Sequence, residues 1–241
     1  MSTVFTIAKR EFRSYFDSPL AYVVICLSFV GLGAMFFMNF WDIGRASMQR
    51  LFEFLPAGLS IVVVPVITMR LMADERASGT LEMLITLPVK DSDVILGKFL
   101  GAFSLVLVVI AASVAYPVFM FQFPWSLGPL DSGPVVSGYI GVILYAAAAV
   151  SVGLLVSSLT SSQAISFFVT FFVLGALWFS ADLADKFMGG ASGVLNYICF
   201  KSRLSGFMRG LIDSRNVVYF LSITVLSLMF SFRALERRKW A

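Results

Sequence analysis

The chain has 241 residues, of which 59% are hydrophobic and only 13% are charged, and its mean hydropathy is +0.91. Because an average soluble domain carries about 25% charged residues, this composition excludes an ordinary soluble globular fold and predicts an integral membrane protein. The net charge of +4 comes without a basic patch interleaved with aromatic residues, which favours anionic lipid headgroups over nucleic acid as a partner.

The first eighteen residues, 1–18, form a segment of their own. Phe5, Phe12 and Phe16 fall on one stripe of a helix, whereas Lys9, Arg10 and Arg13 fall elsewhere, and we assign these six residues to this helix. Such a pattern predicts an amphipathic helix that lies along the membrane interface. Pro19 then ends it, and the simplest function of the helix is to anchor the chain.

Six apolar segments follow, each long enough to cross a hydrocarbon core of roughly 30 Å with about 20 residues. They are 19–38, 55–72, 99–121, 135–159, 164–181 and 217–235. Strands of a β-barrel would be shorter and would alternate in polarity. The sequence therefore predicts an all-α integral membrane protein in which 19–241 is a single transmembrane domain of six helices.

Between spans two and three, residues 70–98 carry nine charges. Ser78 is a suitable cap for a helix over 79–87, Glu82 lies near its first turn, and Pro88 ends it. The leucines of this segment cluster on one side of that helix, so it is amphipathic. Two interpretations remain at this point: a connector that is charged because it meets water, or a helix that docks on a partner protein.

Small and charged residues give further expectations for the spans. Gly97 and Gly101 form a GxxxG pair that favours close packing over self-association, and span four is rich in glycine, alanine and serine, which predicts an interior helix. No ionisable residue lies near the middle of a span, which disfavours a proton-coupled pump. Lys98, Arg70 and Arg233 lie at span ends, where snorkelling to the interface suffices.

The connection over 182–216 combines glycines with apolar stretches that are too short to cross a membrane. Two arrangements fit: helices that re-enter the bundle from outside, or helices that lie flat on the outer surface. Four residues of this region, Phe207, Arg209, Gly210 and Asp213, are candidates for a functional outer site.

Lysine and arginine counts set the orientation. With six spans, the side that holds both termini carries eleven of the 18 lysines and arginines, and the other side carries seven. The positive-inside rule then places both termini in the cytoplasm.

Enzymatic patterns are missing from the sequence. It contains no histidine and two cysteines, and it lacks the GxxxxGK[ST] phosphate loop. We therefore expect no catalytic site, no metal site and no cofactor in this chain, and any ATP it uses must be bound by another subunit.

Three motifs resemble permeases of the ATP-binding-cassette type-2 export family, in particular the gliding-motility and copper-enzyme-maturation branch. They are AKREF at 8–12 with FDSP at 16–19, the run E-x3-G-T-x-E-x-L-x3-P at 75–88, and RGLID at 209–213 leading into VYF at 218–220. The second motif lies between spans two and three in that family. The resemblance extends over essentially the whole chain.

The resemblance implies a permease subunit in the cytoplasmic (inner) membrane. In the family, two such subunits, identical or different, pair with cytoplasmic ATPase subunits that bind ATP and Mg, and an outer auxiliary protein is a further expected partner. The ATPase docks on a coupling helix, whose residues here are Glu75, Gly79, Thr80, Leu81, Glu82, Leu84 and Pro88. Re-entrant outer helices lie between spans five and six.

Two other functions remain open from the sequence. A membrane scaffold that passes ATPase conformational change to an outer partner would hydrolyse ATP without moving solute. A channel or secondary carrier would transport without any ATPase, and it would be favoured by polar residues facing inward at mid-membrane, of which the spans contain few.

Overall fold

The computed structural model describes residues 3–43, 48–77, 90–122, 131–187 and 192–236, and all secondary structure in these ranges is helical. The helices are α1 (Thr3–Asp17), α2 (Pro19–Ile43), α3 (Gln49–Gly58), α4 (Val64–Thr68), α5 (Ala73–Ala77), α6 (Asp91–Ser113), α7 (Ala115–Gln122), α8 (Ser132–Leu159), α9 (Gln163–Phe187), α10 (Ser192–Ile198), α11 (Phe200–Met208) and α12 (Ser214–Glu236). A π-helical turn, Leu59–Val63, joins α3 to α4.

Five helical stretches of the described chain are long and apolar enough to cross a membrane: Gln49–Arg76, Asp91–Met120, Ser132–Leu159, Gln163–Ser180 and Ser214–Glu236. A sixth is reached when Thr3–Asp17 and Ala21–Met35, which meet at a bend of 74°, are taken together. The prediction of an all-α integral membrane protein is therefore confirmed, with five to six candidate spans. Each predicted span range overlaps one of these helices or α2.

Helix α8 lies at the centre of the bundle, as its small residues predict. It contacts α12, α11, α6, α9 and α3. A Cβ atom built on Gly138 would lie 2.6 Å from the Phe52 ring, and one on Gly141 would lie 2.7 Å from Cβ of Phe207. These glycines therefore permit α3 and α11 to approach the backbone of α8 closely.

Span two is not a regular helix. The π-helical turn lies between Pro56 in α3 and Pro65 in α4, and prolines and π-turns are recognised causes of helix bending. The Ser60 hydroxyl bonds the carbonyl oxygen of Pro56 (2.8 Å) and also the hydroxyl of Tyr145 on α8. The irregular turn is thus tied to the central helix at mid-span.

Helices α10 and α11 reach deep into the bundle. Phe200, the first residue of α11, packs edge-on against Tyr145, with ring centroids 5.5 Å apart, and at a tilt against Phe220 of α12. Tyr145 lies halfway along α8, about 20 Å from its first residue at 1.5 Å per residue. Of the two arrangements left open by the sequence, this depth fits helices that re-enter the bundle.

Helices α9 and α12 lie at the periphery. Their outward faces carry exposed apolar residues, including Phe168 and Phe172 on α9 and Val225 and Phe230 on α12. In a bilayer such faces contact lipid or another apolar surface.

Candidate functional site at the exit of span two

Helix α1 packs along the first turns of α6, and two glycines of α6 make this contact possible. A Cβ atom on Gly97 would lie 2.7 Å from Cβ of Ile7, and one on Gly101 would lie 2.6 Å from Cβ of Glu11 and 3.2 Å from the Ala8 carbonyl oxygen. The GxxxG pair therefore serves intrachain packing, as expected from the sequence. It brings the Glu11 carboxylate over the start of span three.

Adding a side chain at this contact should release α1. We expect Gly101→Val to push Glu11 and the α1 backbone away from α6 at a cost of about 1–3 kcal/mol, because a packed helix contact cannot absorb the extra atoms. Trypsin should then cut faster after Arg13, which lies exposed on α1. The matched control is Gly175→Val on α9, where an added Cβ meets nothing within 4 Å; equal cleavage of the two variants would contradict the prediction.

The Lys98 ammonium joins three elements. Its Nζ donates to Glu75 Oε1 on α5 at 2.7 Å and to Glu11 Oε1 on α1 at 3.3 Å. The Lys98 side chain is only 2% exposed, and those of Glu11 and Glu75 are 16% and 19% exposed. Snorkelling to the interface, the sequence expectation for Lys98, is therefore wrong: α1 covers the side chain, and two carboxylates replace the water that the charge would otherwise need.

Tyr15 provides a second link between α1 and span two. Its hydroxyl donates to the carbonyl oxygen of Ile67 in α4 at 3.1 Å. Burial raises the pKa of the Tyr15 phenol above its ordinary value, and the nearby Glu11 carboxylate adds to the rise while Arg70 opposes it. The phenol therefore remains a protonated donor at neutral pH.

The C-terminal end of α8 also contacts the exit of span two. The Ser157 hydroxyl oxygen accepts from the backbone N–H groups of Met72 (3.1 Å) and Ala73 (3.2 Å). Side chains of α5 continue the contact, since Arg76 Nη1 donates to the Thr160 carbonyl at 3.0 Å. Nearby, the Gln163 amide donates to the Asp74 carboxylate.

These contacts define what we call the exit frame, the polar groups around α5. Its members are Glu11, Asp74, Glu75, Arg76, Lys98, Ser157, Thr160 and Gln163. The frame fixes the last described residues of span two against α1, α6, α8 and α9. A polar cleft of about 520 Å³ opens beside it, between α1 and α5, with Arg70 and Ser14 among its lining residues.

Only one of the predicted coupling residues is among the described residues. Glu75 lies in the exit frame, whereas Gly79, Thr80, Leu81, Glu82, Leu84 and Pro88 lie outside the described residues, as does the Ser78 cap. The described chain ends at Ala77 and resumes at Lys90, so α5 leads directly into the predicted coupling helix from one side and α6 leaves it on the other.

The residues predicted for the interfacial helix lie on α1 with different exposures. Phe12 and Phe16 are half-buried and their rings are 5.0 Å apart, whereas Phe5 is exposed, as are Lys9, Arg10 and Arg13. The contact with α6 is made by Ile7 beside Gly97 and by Ala8 and Glu11 beside Gly101, while the hydroxyl of buried Tyr15 bonds α4. One side of α1 therefore meets the bundle while cations point away from it.

The four predicted outer residues have different surroundings. Phe207 is fully buried against Gly141, and its carbonyl accepts from the Ser137 hydroxyl at 2.7 Å. Gly210 has a φ of +89°, a conformation that favours glycine, while Asp213 accepts from the Arg215 N–H and so caps α12. Arg209 is exposed. Phe207, Gly210 and Asp213 therefore each have a local structural function.

Sequence reasoning missed most of the exit frame. Lys98, Ser157 and Gln163 lie in or beside apolar spans, and no local pattern links them to residues 74–76. The one available signal was that Lys98 stands within an otherwise apolar run, 94–100, which calls for a partner. Within the described residues, no group of three His, Cys, Asp or Glu lies close enough to hold a metal ion.

A comparison with protein families identifies the chain. A family model described as "ABC-2 family transporter protein" matches residues 49–232, from the first residue of α3 to the last turns of α12. No curated protein matches the chain. The match covers more than half of the sequence and includes the exit of span two and the α10–α11 pair. The chain therefore belongs to the ABC-2 transporter family, as a membrane-embedded permease component of an ABC transporter.

Proposed function

We propose that this chain is an export permease that receives the work of ATP hydrolysis through the segment between Ala77 and Lys90. Family membership implies an ATPase subunit as partner. The proposal adds that the ATPase, carrying ATP and Mg, docks on the predicted helix 79–87, that both termini are cytoplasmic, and that the membrane is the inner one. A second permease subunit, identical or different, completes the bundle.

The single observation that carries the proposal is the exit frame. A helix that is pushed by a partner protein transmits movement only when the segment next to it in the chain is attached to the elements that must move. Here that segment is α5, which is attached to α1 and α6 through Lys98 and to α8 through Ser157. A connector charged only because it meets water would have no need of buried ionic contacts.

We expect the transmitted movement to act at the middle of span two. Span two enters the frame from the π-helical turn at Leu59–Val63, which is itself bonded to mid-span α8 through Ser60 and Tyr145. Displacement of α5 therefore acts on a span that already has an irregular turn at its middle. Bending there changes the packing of the two halves of span two without breaking either α3 or α4.

Substitutions in the docking segment test the proposal. We expect Glu82→Arg and Leu84→Asp each to weaken the complex with the cognate ATPase, at about 2 kcal/mol or more for a residue central to an interface. The measurement is co-purification of the ATPase with tagged permease. Glu53→Arg, the same charge reversal on α3, is the control. Undiminished co-purification of the ATPase with both segment variants would disprove docking at this helix.

Export and force relay are separated by a second measurement. In vesicles that contain the permease and its ATPase, export predicts that ATP hydrolysis is accompanied by movement of solute or lipid across the bilayer. Hydrolysis that is stimulated by the permease, with no such movement for any tested class of cargo, would assign the complex to force relay toward an outer partner.

A further inference from the structure

Helix α9 carries two polar side chains on its buried face. That face is a stripe of residues one helical turn apart, Ser166, Thr170, Leu174 and Trp178, all of which are at most 3% exposed. Among the described helices, α9 contacts α4 and α5 of span two and the central helix α8. The hydroxyl groups of Ser166 and Thr170 are therefore enclosed between spans two, four and five.

Both hydroxyl groups lack a hydrogen-bond partner within the described chain. By contrast, the buried residues Thr224 on α12 and Ser151 on α8 donate to carbonyl oxygens of their own helices, at 2.8 and 2.7 Å. A buried hydroxyl group without a partner costs free energy. Two of them one turn apart, both fully buried, therefore indicate a bound molecule that supplies their hydrogen bonds.

The depth of this pair follows from the contact between α9 and span two. Helix α9 begins beside α5, where the Gln163 amide bonds Asp74, and it also contacts α4 and the π-helical turn, so it runs antiparallel to span two. Ser166 and Thr170 lie three and seven residues beyond Gln163, about 5 and 10 Å along the axis. The same count back from Asp74 reaches residues 67–71, at the break between α4 and α5.

The break in span two releases a backbone carbonyl group at this depth. In a continuous helix the Ala73 N–H would bond the carbonyl oxygen of Met69, four residues earlier. Instead it donates to the Ser157 hydroxyl oxygen on α8, at 3.2 Å. The Met69 carbonyl oxygen thereby loses the donor that a continuous helix would give it. It lies at the level of Ser166 and Thr170.

The chemistry of these three groups selects a water molecule. A water molecule both donates and accepts hydrogen bonds, and buried waters make about three of them to polar groups that are otherwise unsatisfied. A metal ion is disfavoured because none of the three groups carries a negative charge, and an uncompensated charge inside a membrane protein is costly. An apolar group in the same place would leave all three polar groups unsatisfied.

We propose that an ordered water molecule is bound between span two and span five, with the hydroxyl groups of Ser166 and Thr170 and the Met69 carbonyl oxygen as its hydrogen-bond partners. The water attaches the break of span two to α9, as Ser157 attaches it to α8. The site does not depend on ATPase docking.

A crystal structure of the full-length permease, at a resolution that shows ordered water, tests the site directly. We expect a density peak within hydrogen-bond distance of both hydroxyl oxygens, and we expect that peak to be absent from the Thr170→Val variant. Two results would overturn the proposal. One is that both hydroxyl groups bond carbonyl oxygens of α9, with no density between them and span two. The other is a peak with the short ligand distances of a metal ion.

The sign of a stability change provides an independent test. Thr170→Val keeps the shape of the side chain but removes one partner of the water, so it should raise the equilibrium constant for unfolding in SDS by about fivefold or more. In a dry contact the same substitution would remove an unsatisfied group, and the constant would stay the same or fall. The matched control is Thr224→Val. It should change the constant by less than about threefold, because the carbonyl that Thr224 bonds lies in its own helix.

A double variant shows whether the two hydroxyl groups bind the same molecule. Ser166→Ala and Thr170→Val then act on one water, so the combined variant should lose less stability than the two single effects multiplied together. Losses that multiply, or a Thr170→Val variant at least as stable as the parent, would contradict a shared water.

Discussion

Lys98→Met is expected to lower the free energy of unfolding by about 3 kcal/mol, because removing one partner of a buried ionic contact leaves the others without compensation. The substitution keeps most of the side-chain volume. The Glu11 and Glu75 carboxylates both lie within 3.3 Å of Nζ of Lys98. In the variant they face a neutral group. Unfolding by SDS in mixed micelles, followed by tryptophan fluorescence, measures the loss.

A matched control lies at the N-cap position of the same helix. Lys90 is exposed at the start of α6, and Lys90→Met should change stability by less than about 0.5 kcal/mol, as is usual for surface substitutions. A Lys98→Met variant as stable as Lys90→Met would show that the ionic contact does not contribute to the free energy of unfolding.

Neutralising the carboxylates shows whether the stability is lost through uncompensated charge or through lost packing. In the triple variant Lys98→Met, Glu11→Gln, Glu75→Gln no buried charge remains uncompensated, so most of the lost stability should return. If the exit frame also transmits movement, the same triple variant should recover folding more fully than ATP-driven transport, because the ionic link between α1 and α5 is still missing.

The sequence predicts the parts of this protein that depend on local pattern. The apolar run lengths predict the spans, the small residues of α8 predict its central position, and Gly97 with Gly101 predicts a close helix contact. Each of these follows from a period or a composition that is visible within one helix.

The exit frame could not be predicted in this way. Glu11 and Lys98 are 87 residues apart, and Ser157 and Met72 are 85 apart. Their contacts depend on how the α1, α6 and α8 axes are placed. The sequence indicated that residues 70–98 are charged, but it did not indicate that the lysine at the end of this segment is buried. The π-helical turn is likewise invisible to hydropathy, since its five residues are as apolar as the helices beside it.

The second large effect is expected at Ser157. Its hydroxyl oxygen is the acceptor for the Met72 and Ala73 N–H groups at the break between α4 and α5. Ser157, Met72 and Ala73 are all at most 1% exposed. Ser157→Ala would leave two buried donors unsatisfied, each at a cost of about 1–3 kcal/mol. We therefore expect a loss of at least about 2 kcal/mol in the free energy of unfolding, together with faster hydrogen exchange of residues 69–77.

The adjacent residue supplies the control for this prediction. Ser158 is as buried as Ser157, but its hydroxyl donates to the Leu155 carbonyl of its own helix at 2.7 Å. Its removal leaves no backbone donor orphaned, so Ser158→Ala should cost less than about 1 kcal/mol. Equal losses for the two variants would mean that Ser157 acts only through packing. A loss confined to Ser157→Ala, accompanied by less transport per ATP hydrolysed, would connect the exit of span two to coupling. In that variant α5 would move without moving α8.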